Sequence, residues 1–352
     1  MKMGWLWSII GLLLIIAAAG GWFWYSMGQP LYQPGMVRAG KNLTAPLTPP
    51  AQGSDPAFWQ VEPGIQLHHF AVGAGRNVLI VHGGPGAPYT EPWAGLDELT
   101  TTYRFHYYDQ RGAGQSTRPF DRFTSKNYYQ NMTTLEQTGI GAQLADIERI
   151  RQILGDEQLI LIGHSWGGFL ATLYAAEFPE RVAALILVAP ADMLVMPQPA
   201  GDLFATVRQR LPTAMQPEFD AYMKTYLNFG NIFTKSEADL QAANRAFGKY
   251  YLTAADLPLS EQGDEIGGWM VQAMYFSIGQ RHDYRTALQR ITAPTLVLHG
   301  ANDLQSETVS QGYVDGLMNA KLVVVPDATH FMFTEQATRF AEEVRAFLQA
   351  IT

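Results

Sequence analysis

The sequence predicts an α/β fold: a mostly parallel central sheet flanked by helices, with a block of helices inserted late in the chain. Three observations carry this. Short apolar runs at residues 159–162, 183–188 and, after Thr295, 296–298 read as strands buried on both faces of a sheet. Stretches of helical period lie between such runs, as at Leu144, Ile147, Ile150 and Leu154. The alternation stops near Asp192, where the chain becomes mostly helical and unusually aromatic, and resumes at Thr295.

Composition narrows the possibilities. With 352 residues, 47% of them apolar, the chain can build one large domain or one domain with an inserted lid. A formal charge of −8, spread without long runs, argues against nucleic acid as a partner. The absence of cysteine excludes disulfides, zinc–thiolate sites, a thiol nucleophile and a lipoprotein or palmitoyl anchor. Nothing in the sequence calls for a metal or a cofactor.

The chain is expected to divide into four parts. Residues 4–25 are uncharged and rich in Leu, Ile and Ala, with Trp5 and Trp7 at one end and Trp22, Trp24 and Tyr25 at the other. That is long enough for a membrane helix with aromatic belts, so residues 1–27 read as a single-pass anchor. Lys2 and the amino terminus favour a cytoplasmic start and an extracytoplasmic catalytic domain, against Arg38 and Lys41 beyond the other end. A cleaved signal peptide ending near Ala17-Ala18-Ala19 is the alternative. Residues 28–57 are rich in Pro and Gly and read as a linker or a surface-hugging arm. Residues 58–191 and 286–352 form the core, and residues 192–285 the helical cap.

The chemistry is concentrated at strand ends. The run at 159–162 leads into Gly163-His164-Ser165-Trp166-Gly167, a G-x-S-x-G with a strand before it and a helix after it. Such a turn forces Ser165 into a strained backbone and lifts its hydroxyl clear of the sheet. The Trp166 N–H, at the helix start, then points to where an oxyanion would form. Residues 77–81 lead into His82-Gly83-Gly84-Pro85-Gly86, from which Gly84 is the candidate second oxyanion donor. Two later strands lead to Asp303 and His330, completing the order Ser, Asp, His. The serine needs both partners: His330 would take its proton, and Asp303 would hold the imidazole in one tautomer. Asp192 is the rival acid, while His299 and Asp327 lie nearby in sequence. Asp109 and Arg111 are expected to pin a loop.

Together HGGPG at 82–86, DQRGAGQS at 109–116 and GHSWGG at 163–168 resemble the proline iminopeptidase branch of the α/β-hydrolases. The resemblance covers roughly residue 58 to the C-terminus. It implies a Ser165, Asp303, His330 triad and the release of a small N-terminal residue, usually proline. The sequence departs from the branch at two places. His164 stands where glycine is frequent, and Gln272 stands where a cap glutamate often precedes a Tyr-Phe pair, here Tyr275-Phe276. Glu261 and Glu265 precede the apolar segment from Trp269 to Phe276, so one of them is expected to turn inward near Trp269 and bind a substrate amine. Of the cap carboxylates, which also include Glu218, Asp220, Glu237, Asp239 and Asp264, most are expected on solvated helix faces. The expectation is a membrane-anchored serine hydrolase that, as the resemblance implies, is an aminopeptidase of the proline iminopeptidase type acting on small peptides through an acyl-enzyme. The expected partner is a small-molecule or short-peptide substrate. A carboxylesterase, lactonase or carbon–carbon bond hydrolase is the alternative, and a protein that binds ligand without turnover is a third.

Overall fold

The computed structural model describes residue 25 and residues 28–198, 203–258 and 266–351. The expected anchor at 1–27 therefore lies outside the described residues apart from Tyr25, and Glu261 and Glu265 lie outside them entirely. Among the described residues no helix is long and apolar enough to cross a membrane.

Strands β1 (Phe58–Glu62) and β2 (Ile65–Gly73) form an antiparallel hairpin around Pro63-Gly64. Next in the chain come β3 (Arg76–Val81), β4 (Tyr103–Tyr108), β5 (Leu159–His164) and β6 (Val182–Val188). The two-residue strands β7 (Val195–Met196) and β8 (His282–Asp283) pair with each other, while β9 (Thr295–Gly300) and β10 (Ala320–Val325) complete the main sheet. That sheet has eight strands in the order β1-β2-β4-β3-β5-β6-β9-β10. From β4 to β10 every pairing is parallel, so the C-terminal ends of β3, β5, β6, β9 and β10 all open on one edge.

The apolar runs are continuous because both faces of the sheet are covered. Leu159 and Leu161 of β5 join one core cluster, and Ile160 and Ile162 join the other. Helix α1 (Tyr128–Glu136) sends Leu135 into a separate cluster with Leu240 and Trp269, and the first cluster is closed by α2 (Ile140–Leu154) through Ile140, Leu144, Ile147 and Ile150, and by α3 (Trp166–Glu177) through Phe169 and Leu173. The helical insertion holds α4 (Leu203–Arg210), α5 (Gln216–Tyr226), α6 (Glu237–Ala254) and α7 (Trp269–Ile278). After it come α8 (Arg285–Leu288), α9 (Glu307–Gly316), α10 (Met332–Glu335) and α11 (Ala337–Ala350). Phe340, Val344 and Leu348 of α11 cover the second face. Burying an aliphatic or aromatic side chain of this kind contributes roughly 1.5–3 kcal/mol.

Residues 28–57 carry no helix or strand, yet Tyr32 and Val37 are fully buried in the first cluster. The Glu177 carboxylate at the C-terminal end of α3 accepts hydrogen bonds from the Tyr32 hydroxyl (2.9 Å), the Gly35 N–H (2.6 Å) and the Arg38 N–H (3.2 Å). The arm is thereby tied to the helix whose other end carries Ser165.

Asp109 and Arg111 pin their loop. Asp109 accepts from the Gln115 N–H at 2.8 Å, and Arg111 pairs with Asp146 at 2.7 Å and Glu62 at 2.9 Å. Arg149 joins the same buried carboxylates, at 3.0 Å from Asp146 and 3.3 Å from Glu62. Four charges packed this closely neutralise one another, which is the condition under which buried charges are tolerated.

Candidate active site

Ser165 links β5 to α3 with φ 54° and ψ −122°, a backbone conformation that a side chain with a Cβ rarely adopts. Its main chain is held from several sides. The Ser165 N–H donates to the Val188 carbonyl at 2.9 Å, and its own carbonyl accepts from Gly168 at 2.9 Å and Ala191 at 3.0 Å. The neighbouring glycines permit this turn by close approach. A Cβ on Gly167 would lie 2.0 Å from the Val81 carbonyl oxygen, and one on Gly163 would lie 2.4 Å from the Gly167 oxygen. Such overlap cannot be relieved by a side-chain rotation, since the obstructing atoms are backbone.

His330, after β10, is buried, and its Nδ1 lies 2.7 Å from Asp303 Oδ2. Asp303, after β9, uses its other oxygen to accept from the Gln305 N–H at 2.9 Å. Burial works against the Asp303 charge, but the adjacent His330 and the two hydrogen bonds outweigh it, so the carboxyl is held below its ordinary range. The acid that meets His330 is therefore Asp303. Asp192 lies beside Ser165 through the Ala191 N–H, and burial raises its carboxyl instead. Two of the other histidines are satisfied elsewhere: His299 Nδ1 meets Ser310 Oγ at 3.0 Å, and His282 sits between the Ile278 and Met193 carbonyls at 2.8 and 2.9 Å.

Ser165 and His330 reach one locus through His164, whose Nε2 lies 2.9 Å from the His330 carbonyl oxygen. The loop after β3 closes the same locus. A Cβ on Gly83 would stand 2.8 Å from Ser165 Cβ, so only glycine lets this loop come so near. Gly84 follows with φ +112°. The sequence points to Gly84 and does not mark Gly83, because a run of glycines carries no internal sign of which one touches Ser165.

The roof comes from the cap. The Tyr251 ring of α6 packs edge-on to His330 with centroids 5.8 Å apart, and its hydroxyl is buried with no partner among the described residues. Burial first, then the Asp303 and Glu335 charges, raise the Tyr251 hydroxyl well above its ordinary pKa, so it stays protonated. Tyr275 of α7 packs against the Trp166 indole at 5.8 Å. Gln272, one helical turn before Tyr275 and so on the same face, is buried with Oε1 lacking a partner among the described residues. Trp166 is itself buried, its indole N–H likewise unpartnered there.

Two expectations are corrected. Trp269 is not part of this roof. Its indole N–H donates to the Asp121 carbonyl at 2.9 Å and its ring packs against Phe123 at 4.6 Å, in a cap cluster with Leu135, Ile232, Leu240 and Ala273. Helical phase separates Trp269 from Tyr275: Trp269, Ala273 and Phe276 share one side of α7, Tyr275 lies well round the helix from it, and Gln272 falls between the two. Glu237 is not on a solvated face. It is buried, accepts from the Gly268 and Trp269 N–H groups at 2.8 and 2.7 Å at the start of α7, and pairs with Arg118 at 3.2 Å.

A family model described as the alpha/beta hydrolase fold matches residues 76–337. The chain belongs to that family. It is distantly homologous to proline iminopeptidases over most of its length: it is 25% identical over 292 residues to a proline iminopeptidase of Saccharolobus solfataricus, covering 79% of this chain and 86% of the relative. Among solved structures it resembles a proline iminopeptidase of Mycobacterium smegmatis, with TM-score 0.56, 18% identity and coverage of 82% and 95% of the two chains. It also resembles a thermophilic esterase of Thermogutta terrifontis, with TM-score 0.53, 23% identity and coverage of 82% and 94%.

Proposed function

We propose that the protein is a serine hydrolase that works through an acyl-enzyme, with Ser165 as nucleophile, His330 as general base and acid, and Asp303 as its orienting carboxylate. The observation that carries the proposal is the 2.7 Å contact of His330 with Asp303 beside a serine held at positive φ. In this reading Ser165 Oγ attacks the substrate carbonyl carbon while its proton passes to His330. Charge gathers on the carbonyl oxygen, where the Trp166 and Gly84 N–H groups are the proposed donors. The tetrahedral adduct collapses as His330 protonates the leaving amine or alcohol. Water, deprotonated by His330, then releases the acid and restores Ser165.

The finer assignment is an aminopeptidase of the proline iminopeptidase type acting on small peptides. It is supported by the three loop motifs and by the proline iminopeptidase relatives. A second reading, hydrolysis of an uncharged ester or amide, is favoured by one observation: Tyr251 and Tyr275, the cap rings packed on His330 and Trp166, carry no charge. An ammonium group in such a site needs a carboxylate, since an unpaired buried charge costs several kcal/mol. Glu261 and Glu265 are the proposed source of that carboxylate, and residues 1–27 are proposed to tether the catalytic domain to the outer face of a membrane. Proline naphthylamide, its N-acetylated form and a short p-nitrophenyl ester distinguish the two readings. Cleavage of the free amine alone supports the peptidase. Preference for the acetylated amide or the ester, unchanged by Glu261 or Glu265 substitution, removes it.

A further inference from the structure

His164 closes β5, immediately before Ser165, and is buried between two partners. Its Nε2 lies 2.9 Å from the His330 carbonyl oxygen, and its Nδ1 lies 2.5 Å from the Tyr89 hydroxyl. A carbonyl oxygen can only accept, so Nε2 must carry the hydrogen. Nδ1 of the neutral ring is then a lone pair, and the Tyr89 O–H donates to it. The tautomer follows from the partners. Charge on this ring is disfavoured. Burial first, and then the neighbouring His330, push its pKa well below the ordinary value, and the hydrogen bond to the His330 backbone offsets this only in part. Tyr89 is half-buried, and the burial of its hydroxyl end raises that group well above the ordinary value and keeps it a donor. Its ring is fixed edge-on by Trp93 at 5.1 Å and Phe333 at 5.8 Å.

Resting on the triad reading, we propose that Tyr89 and His164 are a positioning pair that sets the backbone of His330 and thereby aims its Nε2. His330 is then held at two points: its ring by Asp303 at 2.7 Å, and its carbonyl by His164 at 2.9 Å. Tyr89 does for His164 what a triad carboxylate does for its histidine, selecting one tautomer. Without the Tyr89 donor, the other tautomer of His164 becomes available. That tautomer sets a nitrogen lone pair against the His330 carbonyl lone pairs, and the loop carrying His330 is released. The neutrality of His164 serves the same step. Its ring centroid is 4.7 Å from that of His330, so a charge on it would oppose the imidazolium that forms when His330 takes the serine proton.

The test uses the full chain and the variants Tyr89→Phe, His164→Leu and His164→Gln, with kcat, KM and the His330 Nδ1–H proton resonance followed by NMR. Tyr89→Phe keeps the packed ring and removes only the donor. It is expected to lower kcat about tenfold, the scale of one lost hydrogen bond, with KM unchanged and the His330 resonance shifted or broadened. His164→Leu is expected to lose more, and His164→Gln, which retains a side-chain N–H, to recover part of the loss. A natively folded Tyr89→Phe protein with kcat within twofold of wild type and an unmoved resonance overturns the proposal. If Ser165→Ala is inactive in that same series, only the positioning role has failed; if Ser165→Ala is active, the triad reading has failed.

Discussion

The Nδ1–H of His330 donates to Oδ2 of Asp303 over 2.7 Å, joining the residues that follow β9 and β10. Asp192, after the neighbouring strand β6, makes no such contact in the described structure. Asp303→Asn is therefore expected to cut kcat by about ten-thousand-fold, because an amide favours the wrong His330 tautomer. Asp192→Asn is expected to cost less than tenfold. Steady-state kinetics on the two purified variants check the ranking, and its reversal moves the acid to β6.

Glu237 holds the start of α7 through two backbone N–H groups and through Arg118. Glu237→Ala leaves those donors and the guanidinium without their partner. Breaking a buried pair of this kind costs about 3–5 kcal/mol. A clear fall in the urea midpoint is expected, together with weakened substrate binding, since α7 carries Gln272 and Tyr275. Unchanged stability would mean that water replaces the carboxylate without loss.

His82 is fully buried, accepts from the Gln110 N–H at 3.0 Å on Nε2, and faces the Gly83 carbonyl at 3.0 Å with Nδ1. Burial lowers its pKa from 6.5 to about 4. Between these values the unfolded chain binds a proton that the folded chain refuses. The stability contributed by neutral His82 is thus complete above about pH 6.5, falls as pH drops, and is lost by about pH 4, a change on the order of 3 kcal/mol. His69 and His106, also lowered to about 4, act in the same direction. Urea midpoints at pH 7, 5.5 and 4.5 should fall steadily, and His82→Gln should flatten the slope. A midpoint constant over that range contradicts the burial argument.

Gln272 offers an uncharged oxygen on the Tyr275 face of α7. Gln272→Glu is expected to lower KM for proline naphthylamide about tenfold, the usual gain when a neutral hydrogen bond becomes charge-assisted. It should leave hydrolysis of a neutral p-nitrophenyl ester unimproved. Equal effects on both substrates would place residue 272 away from the amine.

Much of the site was legible because it sits at the ends of apolar strands, where sequence order and spatial convergence go together. Ser165 and Asp303 follow runs that are buried throughout, and His330 follows β10, an apolar edge strand in which only Val325 is fully buried. The supporting residues were not legible for the opposite reason. Tyr89 lies in an irregular loop between β3 and β4, and nothing local ties it to His164, 75 positions away. Glu237 stands in the first turn of a helix, where an acidic residue ordinarily faces water. Its burial depends on α7, which arrives some thirty residues later. Tyr32 and Val37 lack any periodic pattern, and their segment is tied down by Glu177 of α3, which accepts from the Tyr32 hydroxyl and from the Gly35 and Arg38 N–H groups. Trp269 could be read from its type as core or as pocket, and its packing with Phe123, Leu135 and Leu240 puts it in the cap core.

The central claim is that Ser165 is the nucleophile. The most direct measurement is a peptide map of fluorophosphonate-treated protein, wild type and Ser165→Ala, with turnover followed in parallel. The account expects one adduct on Ser165, none on the variant, and a loss of turnover on the order of a million-fold in a protein that still folds. An adduct on another residue, or near-normal turnover by folded Ser165→Ala, would contradict it.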